Sequence, residues 1–482
     1  MIDTVQQLWQ AFWAIPHIRL YLLLAWLAYL LWLGIYIVLQ KREPAATLAW
    51  LISLAALPYV GIGIYYLIGP QKIERQRLRR ARHLVTLTTA NPDPHDDCTV
   101  RELERLGRAV TGLPQTTASQ VQLLVGGAAK FDRLLQDVAQ AQAHIHLEYY
   151  IFAPDHSGTV LRDALAERAR EGVCVRLLLD AVGSSKAHRR FLQPLQQAGV
   201  QIAWFHPLRL GRLWQRPWLN LRTHRKIVVI DHRIGYTGGM NVTDDQDARI
   251  NPEAYHDLHL RLEGDAVRSL QLVFCEDWAY ATGSNAFLAE LGTPLPPAQR
   301  GDIITQVLTS GPDNRWEPIH RLHVSAIHAA KRRVWLATPY FVPGEAAMMA
   351  ITSAAQGGLD VRLLVPKMSD SRLVTYAGRS YYDTLLQAGV RVHEFGPPMV
   401  HAKALLVDDD LALIGSANFD HRSFRLNFEV AMLFHDAGVA ADLERMLQAD
   451  FARAPRVRDD RHRSLLAHRL PEALARLMSP LL

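Results

Sequence analysis

His224, Lys226 and Asp231 stand in the spacing HxKxxxxD, and His401, Lys403 and Asp408 repeat it in the second half of the chain. A glycine-rich turn and an asparagine follow each copy: Gly238, Gly239 and Asn241, then Gly415, Ser416 and Asn418. On an extended strand, side chains two apart share a face, so each histidine and lysine point together. The aspartate falls on the opposite face and is expected to anchor a strand end or turn. These residue types suit a phosphodiester. One imidazole attacks phosphorus and holds a covalent phosphohistidine. The other protonates the leaving alkoxide, then takes a proton from the incoming hydroxyl. Both lysines, with Asn241 and Asn418 as substrate-binding residues, supply donors to the oxygens of the pentacovalent state. The candidate catalytic set is therefore His224, Lys226, Asp231, His401, Lys403 and Asp408, and it needs no metal and no cofactor. A nucleophile must be neutral and an acid protonated, so the two imidazoles need opposed protonation at one pH. A single His-x-Lys is commonplace among 21 histidines; two complete copies at matching points of a repeat are not.

The repeat extends well beyond the motifs. HIHLEYYIFAPD at 144–155 matches VWLATPYFVPGE at 334–345, and VCVRLLLDAVG at 173–183 matches LDVRLLVPKMS at 359–369. LQQAGVQIAWFHP at 195–207 is nearly LLQAGVRVHEFGP at 385–397. Strand-like and helix-like patterns alternate, which predicts an α/β fold with sheets flanked by helices in each half. Helices are expected over 128–142 and 316–331, each before the first shared strand. Turn signals near 300–313 separate the halves. Matched motifs of a duplicated fold are expected at the interface between its copies, with Tyr150 and Tyr340 at equivalent points lining the cleft.

At 482 residues the chain is long enough for two or three domains. The expected division is a membrane anchor over 1–70, a basic linker over 71–118, and two repeated domains over 119–310 and 311–482. Residues 20–40 carry no charge, and roughly 20 apolar residues cross a ~30 Å hydrocarbon layer. A second uncharged run, 45–71, contains Pro58, Gly61, Gly63 and Gly69, which a transmembrane helix tolerates. Two transmembrane helices are therefore expected. A cleaved signal peptide fits less well, because the first run is long, lacks a small-residue cleavage site and precedes another apolar run. Lys41 and Arg42 are the only basic residues between the runs, whereas Lys72, Arg75, Arg77, Arg79, Arg80 and Arg82 follow the second. That asymmetry predicts cytoplasmic termini, with the basic stretch along anionic headgroups. The net charge of +6 suits acidic partners, lipid or nucleic acid. Three scattered cysteines form no CxxC pair, which argues against a zinc knuckle or a disulfide framework.

Two HxKxxxxD motifs followed by GGxN and GSxN resemble the signature of the phospholipase D superfamily. PAATLAWLISLAALPYVGIGIYYLIG at 44–69, NLRTHRKIVVID at 220–231, SDSRLV at 369–374 and GSANFDHRSFRLNFEV at 415–430 are similar to its bacterial cardiolipin synthase family. The resemblance implies tandem phospholipase D-like domains, a pseudo-dimer whose sheets face one shared active site. It implies that a carboxylate on a later strand hydrogen-bonds each catalytic histidine, at Asp257, which follows His224, and at Glu429, which follows His401. It also implies a reaction that joins two phosphatidylglycerols into cardiolipin and frees glycerol, in the bacterial inner membrane. Partners would then be phosphatidylglycerol, cardiolipin and anionic headgroups, without nucleic acid. Between its repeat blocks the first half carries an extra segment, LRLGRLWQRPWLNLR, with Arg209, Arg212, Arg216, Arg222, Trp214 and Trp218. Arginines interleaved with tryptophans suit a lipid interface, though a buried loop or a nucleic-acid surface would share that composition. The same motif residues would serve a phospholipase D, a phosphatidylserine-forming transferase or a nuclease. The membrane runs argue against the nuclease, and the two complete motifs argue against a non-catalytic anion-binding scaffold.

Overall fold

A computed structural model describes residues 6–7, 9, 12–39, 44–57, 61, 65, 98–207, 220–284, 301–458 and 463–482. The chain divides into two compact units, one formed by residues 1–70 with 214–220 and the other by the rest.

In the first unit, Ile18–Leu39 forms one 22-residue helix, the only described helix long and apolar enough to cross a membrane. Of the two expected spanning helices the described residues show this one, and the second apolar run is described only in part. Its described helix, Pro44–Ala56, has 13 residues, roughly 20 Å at 1.5 Å per residue against a ~30 Å core. Most of the run beyond Leu57 lies outside the described residues, as does the arginine-rich stretch at 72–82. Leu33 and Ile37 of the long helix are buried with Leu54 and Tyr65, and Trp50 packs against them.

The second unit is built on two mixed sheets. The first runs Gln120–Val125, Leu258–Glu263, Ile234–Gly238, Ile227–Ile230, His144–Tyr149, Cys174–Asp180, Gln201–Phe205 from edge to edge. The second runs Gln115–Ala118, Ile303–Ser310, Glu429–His435, Leu411–Gly415, Ala404–Val407, Arg333–Ala337, Asp360–Pro366, Arg391–Phe395. In each, three strands are parallel and joined through helices, and the rest pair antiparallel. The matching helices form over Gly127–Ala139 and Pro318–Ala329. Strands Gln115–Ala118 and Ile303–Ser310 both belong to the second sheet, which therefore takes in residues that precede the expected boundaries at 119 and 310.

Helices cover both faces of each sheet, which explains why its strands read as continuous apolar runs. Along Ile227–Ile230, Ile227 and Val229 enter a core shared by the two halves, while Val228 and Ile230 enter the first half's own core. Ala404–Val407 alternates in the same way. The shared core holds Val267, Leu270 and Phe274 of helix Ala266–Thr282 with Leu443 and Leu447 of helix Ala437–Arg453. The halves are thus fused through one hydrophobic interior, which fixes the motifs relative to each other.

The motif aspartates work at the strand ends. Asp231 adopts φ 51° in the turn after Ile227–Ile230, and its carboxylate accepts from the backbone N–H groups of Gln142, Ala143 and His144 at 2.8–2.9 Å. Asp408, also at φ 51°, accepts from Lys331, Arg332 and Arg333 at 2.8–3.0 Å. Each carboxylate fastens the start of the neighbouring strand, where the donors lack sheet partners. Asp231→Ala or Asp408→Ala is expected to lower stability by about 1.5–3 kcal/mol, the range for hydrogen bonds to a charged group. Thermal unfolding in detergent checks this; an unchanged midpoint would show that the three bonds contribute nothing net.

Candidate active site

The histidine–lysine pairs do not lie in the regular strands. Each occupies an extended segment just before one, 221–226 ahead of Ile227–Ile230 and 400–403 ahead of Ala404–Val407. These segments pair across the halves. His224 donates its backbone N–H to the carbonyl of Phe428 at 2.9 Å, and Phe428 donates to Arg222 at 2.9 Å. In the other copy, His401 donates to His256 at 2.7 Å and His256 to Met399 at 2.9 Å. Isolated parallel bridges, Thr223 with Phe428 and His256 with Val400, set the register.

That register has a chemical consequence. Glu429 follows Phe428 and Asp257 follows His256, so each carboxylate reaches the histidine of the opposite half. His224 Nδ1 donates to Glu429 Oε1 and Oε2 at 3.0 and 3.1 Å and lies 3.1 Å from the Ser416 carbonyl. His401 Nδ1 donates to Asp257 Oδ2 at 2.5 Å. Pairing in chain order, Asp257 with His224 and Glu429 with His401, would be the plain extension of the repeat; the structure exchanges the partners. With Nδ1 committed as donor, the lone pair of each ring resides on Nε2.

Asp231 and Asp408 are not part of this constellation. The antiparallel ladder from Ile145–Ile230 to Glu148–Ile227 puts Asp231 at one end of its strand and Lys226 at the other, roughly 15 Å away. Both lysines stand with the imidazoles and are buried. Lys226 Nζ donates to the His224 carbonyl at 2.8 Å, while Lys403 Nζ donates to that of His401 and stands 2.8 Å from its Nδ1 and 3.3 Å from its Nε2. Asn241 and Asn418 are buried as well. The Asn241 side-chain carbonyl accepts from the Ile151 N–H at 3.2 Å, which leaves its NH₂ for a ligand.

Burial sets the protonation of the group. Desolvation pulls His224 down to about 4 against the opposing pull of Glu429, and lowers His401 with help from the Lys403 charge. It lowers Lys226 to about 7 and Lys403 to about 8. Burial pushes Asp257 up, yet Lys403 and His401 outweigh it and hold the carboxyl at about 2. The charges interlock across the halves: Lys403 bears on His224 and Lys226 on His401. Both motifs thus share one buried electrostatic neighbourhood.

The two half-sites differ in a way that sterics explains. A Cβ on Gly239 would sit 2.1 Å from Asp257 Oδ1. The matching Ser416 has room because its carboxylate is the longer Glu429, to which its hydroxyl donates at 2.5 Å. Gly239 therefore accompanies the short acid and Ser416 the long one. Gly239→Ser is expected to displace Asp257 and cost on the order of 10²-fold in turnover, as misplacement of a reacting group by about 1 Å does. Ser416→Gly removes one donor and should cost within roughly 10-fold. Steady-state assays of both decide the matter; equal effects would contradict the steric account.

Other residues complete the surroundings. Tyr150 meets the His224 ring edge-on at a centroid distance of 5.2 Å. The ring stacked on His401, at 5.1 Å, is Tyr255 rather than Tyr340, whose hydroxyl instead donates to Asp370. Lys130, wholly buried, donates to the Asn241 carbonyl at 3.1 Å. Nothing marks it in the sequence, since one lysine in an amphipathic helix reads as solvated. Arg225 joins the halves through the buried Asp277 carboxylate and the Glu429 carbonyl. Arg222, counted among the lipid-facing arginines, is buried and donates to the His206 carbonyl at 3.2 Å. Arg209, Arg212, Trp214, Arg216 and Trp218 lie outside the described residues.

Comparison with known proteins follows the same division of the chain. A family model described as "Cardiolipin synthase, PLD-like domain" matches residues 134–274 and 324–451, and one described as "Phospholipase D-nuclease N-terminal" matches 24–70. A protein named cardiolipin synthase from Geobacillus kaustophilus is 38% identical over 477 residues, covering 94% of this chain and 92% of its own. Cardiolipin synthase 2 of Bacillus anthracis is 37% identical, covering 93% and 89%. Among solved structures, phosphatidylserine synthase of Haemophilus influenzae superposes with a TM-score of 0.60 at 15% identity, covering 79% of this chain and all of the other. That last likeness is one of fold.

Proposed function

The chain belongs to the cardiolipin synthase family, phosphatidyltransferases of the phospholipase D superfamily, and we propose the following course for its reaction. Neutral His224 attacks the phosphorus of one phosphatidylglycerol through Nε2. The bond from phosphorus to the headgroup glycerol breaks, and His401 gives that oxygen its proton. A second phosphatidylglycerol then enters. Its terminal hydroxyl gives a proton to His401 and attacks phosphorus, the P–N bond breaks, and cardiolipin leaves. Lys226, Lys403, Asn241 and Asn418 hold the non-bridging oxygens as charge develops. One phosphodiester is exchanged for another, so no nucleotide is consumed.

The exchanged carboxylates carry this reading. Because each imidazole is held by the opposite half, neither half makes a complete site alone. The two pairs also differ in strength. Glu429 divides its charge among His224, Ser416 and Asn427, which suits a neutral nucleophile. Asp257 bonds His401 at 2.5 Å with no other side-chain donor among the described residues, which favours an imidazolium and hence the acid. Desolvation disfavours an imidazolium in the free enzyme, so the bound phosphodiester's own negative charge supports the acid's proton. Water competes as acceptor, and burial of the site helps to exclude it. Membranes given labelled phosphatidylglycerol should yield cardiolipin and free glycerol; phosphatidic acid alone would overturn the proposal.

The lysines predict a pH dependence. Free-enzyme Lys226 and Lys403 lose their protons near 7 and 8, so kcat/KM should fall as pH rises through that range. The limb in kcat should lie higher, because the bound anion holds both protons. Lys226→Arg should push the kcat/KM limb upward; an unmoved limb would assign it to another group.

The long apolar helix suggests membrane anchoring. We place the chain in the inner membrane, with the second run returning across the bilayer and both repeated domains in the cytoplasm. The excess of Lys and Arg after that run supports this orientation. Labelling of cysteines placed at 41–43 with an impermeant reagent tests it, and protection of that loop from the outside would refute it.

A further inference from the structure

The C-terminal helix is turned inside out. Leu465–Arg469 and Leu470–Leu477 form one continuous helical stretch. The face packed on the second domain is largely polar: Glu472 is buried and accepts from Arg463, which also reaches Asp383. Ala475 is the one apolar side chain of Leu470–Leu477 that is buried. Tyr381 fastens the end of the helix, receiving the Arg476 guanidinium over its ring and bonding Ser479 at 3.1 Å. The outward face carries Leu466, Leu470, Leu474 and Leu477, spaced three to four apart; Leu466 and Leu477 are 76% and 75% exposed. A soluble domain places such a stripe inward, so an outward stripe calls for an apolar partner.

Two further observations identify that partner. The helix packs against Arg372–Arg379, whose first turn exposes Leu373, and the segment leading into it exposes Met368. The same segment holds Asp370, which accepts from Tyr340 and whose charge bears on Lys403 and Tyr255. The segment that exposes Met368 thus borders the surroundings of the catalytic lysine, through Asp370. The charges beside it are cationic in sum: Lys367, Arg372, Arg463, Arg469 and Arg476 stand against Asp370, Asp383 and Glu472. Leucines flanked by cations fit the interface of an anionic bilayer.

We infer that the C-terminal stretch 465–478, with Met368 and Leu373, is a docking surface that seats the catalytic domains on an anionic bilayer beside the active site. It delivers phosphatidylglycerol to the site without crossing water, and it rests on the reaction proposed above. The occupant is the bilayer itself, not a second copy of the chain.

The test uses the full chain in nanodiscs containing phosphatidylglycerol. Cys98, Cys174 and Cys275 are replaced by serine, and Leu474→Cys or Leu477→Cys carries an environment-sensitive fluorophore. The expected result is a blue-shifted emission, quenched at least twofold by brominated acyl chains and shielded from aqueous iodide. Iodide quenching without quenching by brominated lipid would overturn the inference, as would ready disulfide cross-linking between two copies through these cysteines. A second variant, Leu474→Asp with Leu477→Asp, should raise KM for phosphatidylglycerol in diluted bilayers about tenfold at unchanged kcat. An unaltered KM would contradict the docking role. Labelled enzyme that still makes cardiolipin while its fluorophore stays in water would sink the docking surface alone and leave the reaction standing.

Discussion

Alanine at His224 or at His401 is expected to abolish cardiolipin formation, each lowering turnover by at least about 10²–10⁴-fold. The loss arises in different steps. Without His224 no covalent intermediate forms, so neither glycerol nor cardiolipin is released. Without His401 the leaving glycerol oxygen departs unprotonated from a buried site, and the intermediate forms too slowly to accumulate. Because both residues act on one phosphorus, the double substitution should be scarcely worse than either single one. Glycerol release and cardiolipin formation, followed together with labelled phosphatidylglycerol, check all three enzymes. Normal turnover in either single variant would break the shared site.

Glu429→Gln should be nearly as damaging, and its effect should fall on the histidine of the other half. An amide in place of the carboxylate no longer holds the Nδ1–H tautomer of His224 or balances charge on its ring, a change worth up to about 10⁴-fold in a related arrangement. His224, Ser416 and Asn427 must then share one amide oxygen where the carboxylate offered two, and the NH₂ faces a donor in a buried place. The loss should therefore appear in formation of the phosphohistidine. Asp257→Asn should instead weaken His401 as acid, slowing release of glycerol and flattening the pH dependence of that step. Rapid-quench kinetics of each variant separates the assignments. Should Glu429→Gln alter proton delivery and leave attack intact, the exchange of partners has no mechanistic meaning.

The repeated α/β architecture was legible because its strands are buried on both faces and therefore read as unbroken apolar runs in matching order. Val228 and Ile230 serve one core, Ile227 and Val229 another, and only a covered sheet requires all four to be apolar. Adjacency of histidine and lysine was legible for a similarly local reason, since an extended segment puts residues two apart on one side. Non-local register was not. The bridges from Thr223 to Phe428 and from His256 to Val400 depend on how two halves dock, and no spacing within either motif encodes that. Strand Ile303–Ser310 escaped assignment to the second sheet for the same reason: turn residues mark where a chain bends, not which sheet it joins. The second apolar run is long in sequence, whereas its described helix stops at Ala56, just before Pro58, in keeping with the avoidance of helical conformation ahead of proline. In sequence Gly239 is only the residue that stands where the second copy has Ser416. In three dimensions it is the space that the Asp257 carboxylate occupies.

The stoichiometry of the covalent intermediate is the most direct check on one site built from both halves. Enzyme mixed with labelled phosphatidylglycerol and quenched within a single turnover should carry one phosphatidyl group per chain, on His224, with none on His401. Two groups per chain, or label divided between the histidines as two independent sites would divide it, would contradict convergence on a single phosphorus.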